Sequence, residues 1–244
     1  MKFVYLNLQE HPRGNYMLDC LVQAGLIPAA VVEERSSLSE KGRINLTKEL
    51  EQLAPAVPLP RSLTEIVAGH KIRCEVVANH NDACCISTLD EIKPELIVLG
   101  DTRIILPRVM EIALRGVVNV HPGYLPLVRG NNPYVWAILH DLPQGVSVHF
   151  IDEDIDTGPI LVRQKLELMA EPSYPVLLNE INILCGVLLV KAMRCIANGQ
   201  TGVPQSSFPE ARKALPTFRA ASAQVKAAAL LKLRQQHERT VHKG

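Results

Sequence analysis

Asn119 and His121 stand one residue apart in NVHPGYLP (119–126), where the apolar run VVNV ends in a Pro-Gly turn. On a strand, residues i and i+2 face the same side, so the two polar side chains point together. An Asn amide can donate to a developing oxyanion, and an imidazole can do the same or carry protons near neutral pH. About 35 residues after His121, Asp156 precedes Thr157-Gly158-Pro159, a tight turn that holds a carboxylate in a set place. A carboxylate near an imidazole can orient it, keep it charged or accept a proton through a water. With no Ser or Cys nucleophile nearby, the three suggest direct group transfer rather than a covalent intermediate. A strand-end Asn and His also serve as turn caps, and spacing alone leaves both roles open.

The elements that must position these groups alternate along the first half. Strands are expected at 3–8, 29–34, 74–79, 95–100 and 117–120. Helices are expected near 14–24, 62–70, 107–115 and 132–140, with a polar, Pro-containing region between 35 and 61. This alternation predicts an α/β fold, a Rossmann-like, mostly parallel twisted sheet flanked by helices. Such sheets take ligands beyond the carboxyl ends of their strands, and NVHPG is at one of those ends. Next, 145–152 and 160–168 alternate apolar and polar residues as an antiparallel pair, joined by the acidic turn DEDIDTGP. A buried helix is expected at about 175–197, then a connection over 200–219 and a basic helix over 220–238. Residues 1–200 are thus expected to form the catalytic domain, and 201–244 a linker and basic C-terminal helical extension.

Composition narrows the class. The 244 residues carry a formal net charge of +1, which argues against broad nucleic-acid binding. Residues 210–244 are nevertheless basic, at +6, against −5 for the rest. That tail could touch nucleic acid or acidic lipid, but a solvated helix face or packing arm is the expectation. Within it, Val225, Ala229 and Leu233 recur every four residues and could dock on a second subunit as a homodimer. The six cysteines form no CxxC pair and no metal-ligand spacing, so no metal is expected. MKFVYLNLQEH turns polar too early for a signal peptide, and the apolar run ILCGVLLV (183–190) is short for a bilayer span. A cytoplasmic protein without membrane contact is expected.

NVHPGYLPLVRGNNPYVWAI, followed by GVSVHFIDEDIDTGPI, resembles the 10-formyltetrahydrofolate-dependent formyltransferase family. That family pairs an N-x-H-P turn with a downstream D-x-G-P turn in a V-x-H context, and the likeness covers residues 95–200. The resemblance implies that Asn119, His121 and Asp156 match the catalytic trio of an N-formyltransferase. It implies 10-formyltetrahydrofolate as donor and a small-molecule primary amine as acceptor. LGDTRIILP matches the segment whose backbone holds the pterin, so Leu99, Gly100, Asp101, Thr102, Arg103, Ile104, Ile105 and Leu106 are expected at the folate. Asp152 and Asp154 lie in the loop that borders it. Arg103 could alternatively meet an anionic substrate or stand on the surface. Gly123, Tyr124, Arg129, Gly130, Asn131 and Asn132 are expected to meet the amine, with a structural loop role as the alternative.

Departures from subfamily patterns bear on the acceptor. Members that formylate glycinamide ribonucleotide carry a Gly-rich loop after the first strand, whose backbone amides hold phosphate; here NLQEHPRGNYM has the single Gly14. Methionyl-tRNA formyltransferases share features of VRGNNPYVWAI but end in a β-barrel, for which 200–244 is too short and too helical. Formyl-folate hydrolases place a regulatory domain ahead of the first strand, which here begins at residue 3. RGNNPYVWAI is most similar to the sugar-nucleotide N-formyltransferases, which implies an amino-sugar nucleotide, although VVEERSSLSEKGR replaces their Lys- and Gly-rich loop. Hydrolysis of the formyl folate and non-catalytic folate binding remain as alternatives. Trp136 is expected in the core and His149 behind the site. His11, His70, His80 and His140 form no metal-like group.

Overall fold

The computed structural model describes residues 1–51, 61–167 and 173–241. Seven strands form one sheet: β1 (Phe3–Leu8), β2 (Ala30–Glu34), β3 (Arg73–Val77), β4 (Leu96–Asp101), β5 (Val117–His121), β6 (Gly145–Phe150) and β7 (Ile160–Lys165). Their spatial order is β3-β2-β1-β4-β5-β6-β7. The first five run parallel, while β6 and β7 are antiparallel additions. The chain's direction reverses across the sheet at β1, where the next strand lies on the other side, so ligands are expected at the carboxyl ends nearby.

Strand alternation splits the core in two. On β1, Phe3 and Tyr5 face one layer, whereas Val4 and Leu6 face the other. The first layer packs under α1 (Pro12–Gln23), α3 (Leu63–His70), α6 (Pro133–Leu139), α7 (Tyr174–Ala197) and α8 (Ala223–Val241). The second is covered by α4 (Ala83–Ile92) and the one-turn α5 (Pro107–Met110). Start and stop chemistry sets these helices. Pro12 opens α1, where its missing N–H costs nothing. Ser62 and Glu65 close a capping box on α3, and Asp82 caps α4 by accepting the Cys85 N–H at 2.8 Å.

Several expectations change. The polar region after β2 contains α2 (Ser37–Glu51), a helix without a strong apolar stripe. The helix expected to Arg115 ends at Met110. The run at 183–190 is part of α7, which is long and apolar enough by length and composition to cross a membrane. Its Leu177, Ile181, Leu184, Leu188 and Leu189 are instead buried against the sheet, and that burial accounts for its composition. Ala229 and Leu233 are buried in this chain's own core with Val225 packed beside them, so the stripe expected to meet a second subunit is used internally. The six cysteines are free.

Candidate active site

A cavity of about 240 Å³ opens beyond the carboxyl ends of β4 and β5. Strand β5 delivers Asn119 and His121, and its antiparallel partner β6 places His149 opposite Asn119 and Ser147 opposite His121. Asp156 reaches the same point from the β6–β7 turn, with a backbone φ of +57°. The four side chains meet. His121 Nδ1 lies 3.3 Å from Asp156 Oδ2, and His149 Nε2 lies 3.5 Å from Asp156 Oδ1. Asn119 Nδ2 is 3.3 Å from His149 Nε2.

Hydrogen bonding assigns the protons. A carbonyl only accepts, so His121 Nε2 donates to Val128 O at 2.9 Å, and His149 Nδ1 donates to Phe150 O at 2.8 Å. With the His149 ring neutral, Nε2 accepts an Asn119 N–H and leaves the second Asn119 N–H available; with the ring doubly protonated, Nε2 faces Asp156 Oδ1 as a donor instead. His121 Nδ1, facing a carboxylate, is favourable when protonated and repelled when not. Burial pushes the His121 pKa below the ordinary histidine value, and the Asp156 charge opposes that fall. Burial alone would raise Asp156, but the charge on His121, the His149 contact and the Gly130 N–H at 2.7 Å outweigh it and hold the carboxyl well below its usual range.

The segment that ends β4 forms one wall. Leu99, Gly100, Asp101, Thr102, Arg103, Ile104 and Ile105 line the cavity, as do Asp152 and Asp154 from the β6–β7 turn and Gly130 and Asn131 from the loop after β5. The remaining expected residues do not line the cavity. Leu106 points elsewhere: it caps α5, half-exposed, with its N–H donating to Asn81 Oδ1 at 2.9 Å. Tyr124 is buried behind the loop with the Arg163 guanidinium 4.6 Å over its ring. Arg129 turns away to donate to Gln205 Oε1 at 2.9 Å. The Asn132 side chain accepts the Ala221 N–H at 3.0 Å ahead of α6. Gly123 serves by absence, because a Cβ there would sit 2.5 Å from His121 Nε2. Neighbours in a tight loop point in different directions, which sequence adjacency hides.

Two arginines line the cavity with their charge already balanced. Arg13 donates through Nε to Asp101 Oδ2 at 3.1 Å, with His11 Nδ1 3.4 Å from the same oxygen. Arg103 makes a two-pronged contact with buried Glu34, Nε to Oε2 at 2.8 Å and Nη2 to Oε1 at 2.6 Å. Arg13 was missed in the sequence, as was the closeness of His149. The polar alternation Ser147, His149 on β6 was the available signal for the latter. Trp136, expected in the core, stacks on Phe218 with centroids 4.3 Å apart. Among the described residues, no group of three or more His, Cys, Asp or Glu side chains has a metal-holding arrangement.

The formyl transferase family model matches residues 61–192, more than half of the chain. A methionyl-tRNA formyltransferase from Syntrophus aciditrophicus is 29% identical over 73% of this chain and 54% of its own length. One from Methylacidiphilum infernorum is 32% identical over 66% of this chain and 50% of its own. The chain thus spans little more than half the length of these curated relatives. Among solved structures, a Shewanella sugar N-formyltransferase superposes with a TM-score of 0.60 at 18% identity, covering 96% of this chain and 88% of that one. The formyltransferase PseJ from Anoxybacillus kamchatkensis, in complex with UDP-4,6-dideoxy-4-formamido-L-AltNAc and tetrahydrofolate, gives 0.52 at 19% identity over 93% and 90%. At such identities the structures speak for the fold, while the matched model, which spans the β5 and β6–β7 motifs, makes this chain a member of the formyl transferase family.

Proposed function

We propose that the chain is an N-formyltransferase that moves the formyl group of 10-formyltetrahydrofolate to a primary amine of a small molecule. An amino-sugar nucleotide is the first acceptor class to test. The observation that carries the proposal is the junction of Asn119, His121 and Asp156 on one cavity, His121 meeting Asp156 directly and Asn119 joined to Asp156 through His149, by contacts of 3.3 to 3.5 Å. The cavity also suits the donor. Ile104 and Ile155 stay 69% and 46% exposed at its rim, and main chain from 99 to 105 lines one wall. Apolar faces beside peptide edges are what a flat, hydrogen-bonding heteroaromatic ring requires. Support for a sugar acceptor comes from the fold likeness to sugar N-formyltransferases; the methionyl-tRNA formyltransferase relatives make initiator tRNA the competing acceptor.

The bound folate would supply an activated formyl carbon. Asp156 takes a proton, directly or through water, from the incoming ammonium so that its nitrogen can attack. As a C–N bond to the formyl carbon forms, the free Asn119 N–H and the positive charge of His121 face the oxygen that gains negative charge. One proton then passes from the amine to the departing folate nitrogen as the old C–N bond breaks, and Asp156 releases the other to water, so atoms and charge balance. Donors placed where charge develops are typically worth about 100- to 1000-fold each.

The test is turnover of 10-formyltetrahydrofolate against a panel of amino-sugar nucleotides, simple amines and methionyl-tRNA. Amine-dependent tetrahydrofolate release, abolished by Asn119→Ala with folate binding intact, is expected. Release that needs no amine would assign hydrolysis instead, and binding without turnover would make the chain a folate carrier.

A further inference from the structure

Residues 203–218, expected as a connection, are fastened to both loops that meet at the Asp156 carboxylate. Gln205 is only 5% exposed, and its side chain is fully used. Nε2 donates to the main-chain O of Asp156 at 2.8 Å and of Gly158 at 3.0 Å, while Oε1 accepts from Arg129 Nη2 at 2.9 Å. Phe218 acts from the other side. Its N–H donates to Arg129 O and its carbonyl accepts the Asn131 N–H, both at 3.0 Å. Gly130, held between them, has a φ of +90°, and a Cβ there would lie 2.1 Å from Phe218 O. Only glycine fits that seat, and the seat aims the Gly130 N–H at Asp156 Oδ2, 2.7 Å away.

Asp156 needs such a hold. Its φ of +57° lies in the left-handed region, which costs a non-glycine residue about 1–2 kcal/mol. Two routes from the C-terminal stretch therefore end on one residue, Gln205 gripping the main chain of Asp156 and Phe218, through Gly130, its carboxylate. We propose that the 203–218 stretch, with Gln205 as its principal positioning residue, aligns Asp156 against His121 and so forms part of the transfer machinery. An amide suits position 205 because two carbonyls there need N–H donors and one guanidinium needs an acceptor. The consequence for turnover rests on the proposed N-formyl transfer; the alignment itself does not.

Two substitutions on the full chain separate the contacts. Gln205→Glu keeps an acceptor for Arg129 but loses both donors, and Gln205→Met loses all three at similar volume. The first measurement is an NMR titration of the His121 ring nitrogens without ligand; Asp156, His149 and Arg13 are the charged or titratable groups acting on that ring. In both variants its midpoint is expected about half a pH unit below wild type, because a displaced carboxylate supports the imidazolium less. With an acceptor found by the amine panel, kcat is expected to fall about tenfold while donor KM stays within about twofold. Gln205→Glu, of unchanged size, keeps the test open if Gln205→Met does not fold. An unchanged His121 midpoint in the folded variants overturns the proposal. So does a normal Gln205→Glu beside a defective Gln205→Met, since the effect then belongs to Arg129. A raised donor KM at constant kcat also overturns it, pointing to cavity shape. A lowered midpoint in a chain that transfers no formyl group upholds the alignment and rejects the proposed function instead.

Discussion

Two buried histidine–carboxylate pairs in this molecule share one geometry and differ in what completes them. At the end of β2, His80 Nδ1 lies 3.3 Å from Glu34 Oε2 and its Nε2 donates to Val32 O at 3.1 Å. At the end of β5, His121 Nδ1 lies 3.3 Å from Asp156 Oδ2 and its Nε2 donates to Val128 O at 2.9 Å. Glu34 also receives the Arg103 fork, the Ser36 hydroxyl at 2.6 Å and the His80 main-chain N–H at 2.9 Å. A guanidinium keeps its proton at any relevant pH, so Glu34 is balanced permanently. Among the described residues, the Asp156 carboxylate has only histidines and the Gly130 N–H as partners. Its balance changes whenever a ring gains or loses a proton. The same pair is structural with an arginine behind it and chemically available without one.

The largest expected difference is in turnover. His121→Ala is expected to reduce formyl transfer about 100- to 1000-fold, the usual size for losing a group that stabilises developing charge. Donor affinity, measured by folate titration, should hold, because the wall proposed to hold the donor, 99–105, is the end of β4 and the segment after it, not His121. His80→Ala should leave kcat within a few-fold of wild type, as no cavity-lining atom belongs to it. Equal losses of kcat in the two variants would erase the distinction between the pairs.

Stability should show the reverse order. Glu34 is fully buried, and Glu34→Gln leaves Arg103 without its counter-charge. Arg103 can partly reach water, so the cost belongs at the low end for a broken buried pair, about 2–3 kcal/mol by urea unfolding. The pH dependence has a defined sign. Burial would raise the Glu34 pKa, but the Arg103 and Ser36 bonds, with His80, bring it down to about 2. A carboxylate with a depressed folded pKa contributes fully above its unfolded value, near about 4.3, and loses that contribution as pH falls through the folded value. Wild-type stability should therefore drop between about pH 4.5 and 2, and the Glu34→Gln curve should be flatter across that window. Parallel curves would mean that Glu34 is not the group being titrated.

What the sequence disclosed follows from how each feature is encoded. Asn119 and His121 were legible because strand spacing is a local rule, and the parallel half of the sheet was legible because β-branched runs alternate with amphipathic segments. Asp156 needed the resemblance, since nothing local links a turn 35 residues away to β5. His149 was undervalued because its place depends on the β5–β6 register, a pairing that sequence spacing does not specify. The helix Ser37–Glu51 was passed over because a polar, weakly patterned stretch carries little periodic signal. Gln205 was invisible for another reason. A polar residue in a Pro- and Ser-bearing stretch is typical of exposed connection, and only the fold brings it under the DTGP turn.

Arg103 tests the boundary between the two regions, because it lines the cavity while its charge is spent on Glu34. Arg103→Lys keeps the positive charge but replaces a planar fork making two bonds with a single point donor. If the arginine acts through Glu34, stability should fall by about 1 kcal/mol, the worth of one such bond, and donor affinity should stay within about threefold of wild type. The Glu34 fork uses Nε and one Nη2 hydrogen, so the guanidinium keeps a second edge, Nη1 and Nη2, with N–H groups that can meet an anionic ligand in the same plane. A tenfold loss of donor affinity at unchanged stability would mean that this second edge holds the ligand. Glu34 would then orient a binding arginine, and the β2 pair would belong to the site after all.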